Sequence, residues 1–253
     1  MIFDLQKASM WKRISAFLFD SIILGILVAG LAFCLSSLLG YDGYRQQLDQ
    51  RYQIYENQYQ VDFDLSMTQF EQLGEQELAN LEQASAALSQ DADAVHAYTM
   101  MMNLTLVITS FSILFGFLIL EFFVPLWLKN GQTLGKKIFS IAVMRTDGVK
   151  VSTIQMFIRT ILGKYTVETM IPVLVAILVF FGNMGIYGTA LILGLGLLQL
   201  VLLAATRTNS LIHDLLARTV VVDMPSQMIF ESEEAMVEYK KRIHAENTAR
   251  QQY

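Results

Sequence analysis

Three polar side chains stand inside apolar stretches at one remove from a basic residue. Asp20 is eight residues beyond Lys12, Glu121 eight before Lys129, and Gln199 eight before Arg207. At ~1.5 Å per helical residue, each sits roughly 12 Å inward from its basic end. Two carboxylates close together raise one pKa, which lets a single site exchange a proton for a cation near neutral pH. An amide adds a carbonyl oxygen to such a site. Ion or proton binding is therefore expected at Asp20, Glu121 and Gln199, with Asp20 the main ionisable group. Packing alone also turns polar residues of membrane helices toward a bundle interior.

The remaining chemistry-bearing residues point away from catalysis. His213 has no second histidine at helical ligand spacing, no HExxH occurs, and His96 and His244 fall on opposite sides of the expected membrane, so no zinc site is predicted. Gly131-Gln-Thr-Leu-Gly135-Lys-Lys137 superficially resembles a phosphate loop. Only three residues separate its glycines, however, and Lys137 stands where Ser or Thr belongs. No catalytic residue, no metal site and no cofactor is expected, and the chain is not read as an enzyme. Cys34 is the only cysteine, so no intramolecular disulfide can form.

The elements that must position these residues are membrane helices. Hydrophobic residues make up 54% of the 253 and charged ones 16%, against ~25% charged in soluble domains. About 20 apolar residues cross the hydrocarbon, and Trp11 to Leu39 exceeds that, opened by Lys12 and Arg13 and stopped by Gly40, Asp42 and Gly43. It is too long for the ~7–15-residue core of a cleaved signal and reads as an uncleaved anchor. Ahead of it, Met1 to Met10 is an amphipathic lead whose Phe3 and Leu5 suit the headgroup region. Residues 100–128 form the second span, in which Pro125 leaves the carbonyl of Glu121 without its helical partner and predicts a kink there. Residues 165–206 hold spans three and four, folded back at Gly182-Asn-Met.

Residues 41–99 are polar. Leu48, Tyr52, Tyr55 and Tyr59 form a helical stripe, a turn follows over Asp62 to Ser66, and Ser66 with Gln69 fits a capping box opening a second helix through Phe70, Leu73, Leu81 and Leu88. Eleven acidic residues oppose Arg45 and Arg51 in this hairpin, which is expected outside the cytoplasm.

Residues 129–164 are the opposite: Lys129, Lys136, Lys137, Arg145, Lys150, Arg159 and Lys164 face only Asp147. By the positive-inside rule this loop stays cytoplasmic. Ile138 to Met144 and Val149 to Val151 flank Arg145-Thr-Asp-Gly148, a hairpin signal. Ser152 with Gln155 then caps a helix with Ile154, Phe157, Ile158, Ile161 and Leu162 on one face, expected to lie on the membrane. In residues 207–225, His213 and Asp214 fall on a short helix, and Thr219 to Val222 reads as a strand able to join the hairpin. Residues 226–253 are a charged tail.

Three blocks carry a family resemblance. Trp11-Lys-Arg13-Ile-Ser-Ala16-Phe-Leu-Phe-Asp20, Asn130-Gly-Gln-Thr-Leu-Gly-Lys-Lys137 running into Ile141-Ala-Val-Met-Arg-Thr-Asp-Gly148, and His213-Asp-Leu-Leu-Ala217 leading to Thr219-Val-Val-Val222 resemble the signature blocks of the RDD family. The arginine and two aspartates that name it map onto Arg13, Asp20 and Asp214. The resemblance spans residues 11 to 222 but is absent from 41–99, which looks like an insertion, and Arg218 stands where glycine is frequent. It implies a multi-spanning, mostly prokaryotic membrane protein, with a transport role proposed for the family and sodium–proton exchange suggested for some members. The same residues also suit a purely architectural latch, Arg13 pairing with Asp214 to fasten the C-terminal segment to helix one.

The expected fold is an all-α integral membrane protein of the cell membrane. It has four transmembrane helices, both termini cytoplasmic, an extracytoplasmic helical hairpin insertion, and a small cytoplasmic β-hairpin plus interfacial helix. Two functions remain open: a carrier of protons or small monovalent cations, or a non-transporting accessory protein that binds partners. Lipid is the expected surround, no nucleic-acid partner is expected, and a homo-oligomer or membrane-protein partner would supplement the few spans.

Overall fold

The computed structural model describes residues 5–251 apart from 129, 181 and 183. Phe3 of the lead, Lys129, from which the depth of Glu121 was counted, and Asn183 of the expected turn lie outside the described residues. Four helices are long and apolar enough to cross a membrane: α1 Met10–Leu38, α5 Ala92–Leu128, α7 Thr153–Phe180 and α8 Gly185–Ala205. The chain divides into two compact units, Met1–Ala29 with Ile113–Tyr253, and Gly30–Ser112.

In the Gly30–Ser112 unit, Gly40 takes φ +71 and separates α1 from α2 (Tyr41–Tyr59). The Ser66–Gln69 capping box forms, with the Ser66 N–H donating to Gln69 Oε1 at 2.9 Å. The helix it opens, however, is only α3 (Met67–Phe70); a new start at Gly74 begins α4 (Glu75–Gln90). Extended backbone at Gly74, whose N–H is taken by Glu77 Oε2 at 2.8 Å, causes the break. Leu48 and Tyr52 of α2 pack on Leu88, Ala94 and Ala97, which is the expected stripe at work. Arg51 pairs with Asp91 and Asp93, and Asp91 Oδ1 accepts the N–H groups of Asp93 and Ala94, starting α5. The helix that carries the second span therefore begins at Ala92, ahead of residue 100, because its carboxylate cap lies there.

In the other unit, α6 (Leu134–Ile138) follows the Asn130 block and leads to β1 (Ile141–Arg145). The short α9 (Ile212–Ala217) leads to β2 (Thr219–Asp223), and α10 (Glu233–Gln251) closes the described chain. β1 and β2 are antiparallel, Ile141 opposite Asp223 and Arg145 opposite Thr219. Residues 5–8 run along the other edge of β2: the Ala8 N–H donates to the Val221 carbonyl and the Asp223 N–H to the Gln6 carbonyl. Both faces are covered. Ala8, Ala16, Ile141, Val143 and Val221 cluster on one, and Ala142, Met144, Val220 and Val222 with Leu5 on the other. Burial on both sides explains why these strands read as continuous apolar runs without alternation.

Three expectations change here. The Asp-Gly turn closes, with Arg145 N–H donating to the Val149 carbonyl at 2.8 Å, but Val149 and Lys150 form only isolated bridges and β2 takes the place of the hairpin's second strand. Leu5 packs on the sheet and not in a headgroup layer. The expected interfacial helix is not separate: from the Ser152 cap, α7 continues without a break to Phe180, its turns widened to π geometry over Ile158–Met170. Arg159, Lys164 and Glu168 find partners inside the protein, so nothing obliges this segment to stay on the surface. The turn to α8 uses Gly182 at φ +76, and a Cβ on Gly188 would come within 2.4 Å of Val179, so α7 and α8 meet in close contact.

Candidate functional site

Asp20 is held by the loop after α5. Thr133 caps α6, its Oγ1 accepting the Lys136 N–H at 3.3 Å. The same hydroxyl donates to Asp20 Oδ2 at 2.5 Å, while the Gly135 N–H donates to Asp20 Oδ1 at 2.7 Å. Lys136 Nζ stands 3.9 Å from Asp20 Oδ2. The carboxylate has thus exchanged its water for fixed donors, the arrangement that makes a buried anion tolerable. Gly135 is required for it: a Cβ there would lie 2.4 Å from the carbonyl oxygen of Ala16.

Glu121 lies in the π-helical stretch Leu118–Phe123 of α5 and is 8% exposed. Its carboxylate accepts from Lys164 Nζ at 2.5 Å. Its backbone carbonyl, denied an i+4 N–H by Pro125, accepts from Thr160 Oγ1 at 2.8 Å. α7 thus supplies a donor where Pro125 has none. Lys136 is buried close by, and burial, reinforced by Lys164, lowers its pKa to about 8 against the pull of Glu121 and Asp20.

Asp214, 1% exposed, is the densest node. Arg159 Nη1 donates to Asp214 Oδ1 and to Thr219 Oγ1, and Arg13 Nη2 stands 3.6 Å from Asp214 Oδ2. The expected Arg13–Asp214 pair exists, but Arg159 is the nearer partner. Burial pushes the Asp214 carboxyl upward, yet Arg159, His213 and Arg13 together hold it well below the usual carboxylate range. Beside it, His213 Nδ1 lies 2.7 Å from Glu168 Oε2, and the His213 backbone N–H donates to Glu168 Oε1 at 2.9 Å. Gly163 permits this, since a Cβ there would lie 2.4 Å from the Cβ of His213. Burial lowers the pKa of His213, Arg159 acting the same way and Asp214 and Glu168 opposing.

These groups surround one cavity of about 430 Å³, and Asp20, Glu121 and Gln199 all line it. Arg13 lines it as well, whereas Asp214 stands behind His213 and Arg159. The Gln199 side chain lies beside the Glu168 carboxylate. Gln199 Oε1 is left buried with no hydrogen-bond partner among the described residues. Sequence reasoning missed Arg159, Lys164 and Glu168. Their signal was available: three charged residues at spacings of five and four on one helix, inside what was read as a surface helix running into an apolar span.

The RDD family description matches residues 7–218. The chain belongs to the RDD family. RDD proteins are membrane proteins, in keeping with the four long apolar helices. No curated protein and no solved structure matches the chain. In this RDD protein Asp20 binds the Asn130–Ile138 block to α1, and Asp214 binds α9 to α7 and α1 through Arg159 and Arg13.

Proposed function

We propose that the chain is a carrier of the cell membrane, not an enzyme, that exchanges protons for small monovalent cations through this cavity. One observation supports it most: Gln199 Oε1, a buried acceptor without a donor, shares the cavity with the carboxylates of Asp20, Glu121 and Glu168. An unpaired buried carbonyl costs ~1–3 kcal/mol, which a cation or a water bound at the cavity offsets. Asp20 and Glu121 supply the negative charge, and Asp20 in addition fixes the loop that carries Lys136. Lys137, Arg145 and Lys150 lie between α5 and α7, which supports a cytoplasmic position for this loop and both termini, with the acidic helices outside. A homo-oligomer is the natural assembly for a carrier of so few spans.

A second reading has its own support. Asp20 is bonded by Thr133 and Gly135, and Asp214 by Arg159, as a non-transporting accessory protein with structural Arg13, Asp20 and Asp214 requires. Reconstitution in liposomes under an imposed pH gradient separates the two. The carrier reading expects cation-dependent proton flux with sodium, lithium or potassium, reduced at least tenfold in Gln199→Leu and lost in Asp20→Asn at unchanged insertion. Flat traces with all three ions leave the accessory reading.

A further inference from the structure

We propose that His213 and Glu168 form the proton-binding dyad of the cavity, His213 taking up the exchanged proton on Nε2. The inference rests on the carrier reading only for what the proton is exchanged against. Its basis is the pattern of charge partners. Asp214 is matched by Arg159 and Arg13, Glu121 by Lys164, and Asp20 by Lys136 with two fixed donors. Glu168 alone among these carboxylates has, among the described residues, a histidine as its only ion-pair partner. Its counter-charge is therefore one that a proton on an imidazole switches on and off.

The imidazole is seated for two protonation states. Nδ1 lies 2.9 and 2.7 Å from the two Glu168 oxygens, and Nε2 lies 3.5 Å from Asp214 Oδ2. A neutral imidazole has one N–H. Glu168 claims it at Nδ1, so the lone pair of Nε2 faces a carboxylate. The added proton goes to Nε2, converts that contact to an ion pair, and leaves Nδ1–H on Glu168 undisturbed. Both His213 and Glu168 line the cavity. The charged groups around the ring are Glu168 and Arg159 from α7, Asp214 from its own helix and Arg13 from α1, with Glu121, Lys164, Asp20 and Lys136 across the cavity.

The charges also explain an exchange. Arg13, Lys136, Arg159 and Lys164 balance Asp20, Glu121, Glu168 and Asp214 when His213 is neutral. A proton on His213 gives one surplus positive charge, and a monovalent cation in the cavity gives the same. Holding both gives two, so each displaces the other.

The test uses the full chain in lipid nanodiscs, labelled with ¹⁵N-histidine, with His96→Gln and His244→Gln leaving one imidazole of the three. Nitrogen shifts followed from pH 5 to 9 are expected to show Nδ1 protonated throughout and Nε2 gaining its proton as pH falls. Glu168→Gln, which keeps an acceptor but removes the charge, is expected to move the midpoint down by roughly 1 unit or more. An imidazole that keeps one protonation state across the range overturns the dyad, and so does a midpoint indifferent to Glu168→Gln. The wild-type titration decides the matter even where that variant fails to insert. Titration without cation flux overturns the carrier reading and leaves the dyad; flux with a silent His213 does the reverse.

Discussion

Gly135 presents its N–H to Asp20 Oδ1 at 2.7 Å while its Cα stands so close to α1 that a Cβ would meet the Ala16 carbonyl oxygen at 2.4 Å. The obstructing atom is backbone and cannot rotate away. Gly135→Ala should therefore push the α6 loop off α1, strip Asp20 of a donor, and cost about 2–4 kcal/mol, as overpacking and a lost charged hydrogen bond together do. Thermal unfolding in detergent checks this. A midpoint within a degree of wild type would show that the loop yields without consequence.

Thr160 Oγ1 donates to the Glu121 carbonyl, whose i+4 residue is Pro125 and has no N–H to offer. Thr160→Val keeps shape and removes that donor, leaving a buried carbonyl unmet at a cost of about 1–3 kcal/mol. Pro125→Ala restores a backbone N–H, so the loss from Thr160→Val should be smaller in that background. Equal losses in both would sever the link between the kink and Thr160.

Asp214 should couple more strongly to Arg159 than to Arg13. Removing one partner of a buried pair leaves an uncompensated charge and costs ~3–5 kcal/mol. In double-mutant cycles with Asp214→Asn, Arg159→Gln is expected to show the larger interaction energy, Arg13→Gln the smaller. Exchanging the charges of Arg13 and Asp214 should not restore abundance, because Arg159 would then face a second cation. Recovery in that swap would make Arg13 the true partner.

Lys136 titrates at about 8 in the folded protein against an ordinary 10.5. Between those values the unfolded chain binds more protons, so this group adds stability as pH rises through the window and adds none of that gain below it. The unfolding midpoint of wild type should therefore improve relative to Lys136→Met between pH 8 and pH 10. A constant difference over that range refutes the depressed pKa.

Orientation is open to a direct measurement. In a Cys34→Ala background, cysteines at the exposed positions Gln58 or Gln83 should react with an impermeant maleimide added to intact cells, whereas those at Thr146 or Asn247 should not. Labelling at Thr146 from outside would invert the topology.

The sequence by itself determined the parts that a bilayer and a backbone impose locally. Span length is counted along the chain, so α1 and α8 were legible; the Ser66, Ser152 and Pro125 signals act within one helical turn, and each has its effect in the structure. What only the tertiary structure decided is which side chains meet. Asp20 looked like a lone carboxylate, yet its donors, Thr133 and Gly135, come from a loop over a hundred residues on. Arg159 and Lys164 read as charges of a cytoplasmic loop, and Glu168 drew no reading, yet α7 turns each toward a partner on another element. Spacing along a helix fixes the angle between its own side chains, but the rotation of that helix against its neighbours is set by close contacts such as Gly163 on His213 and Gly135 on Ala16. Those contacts join distant stretches of chain, and no local pattern encodes them.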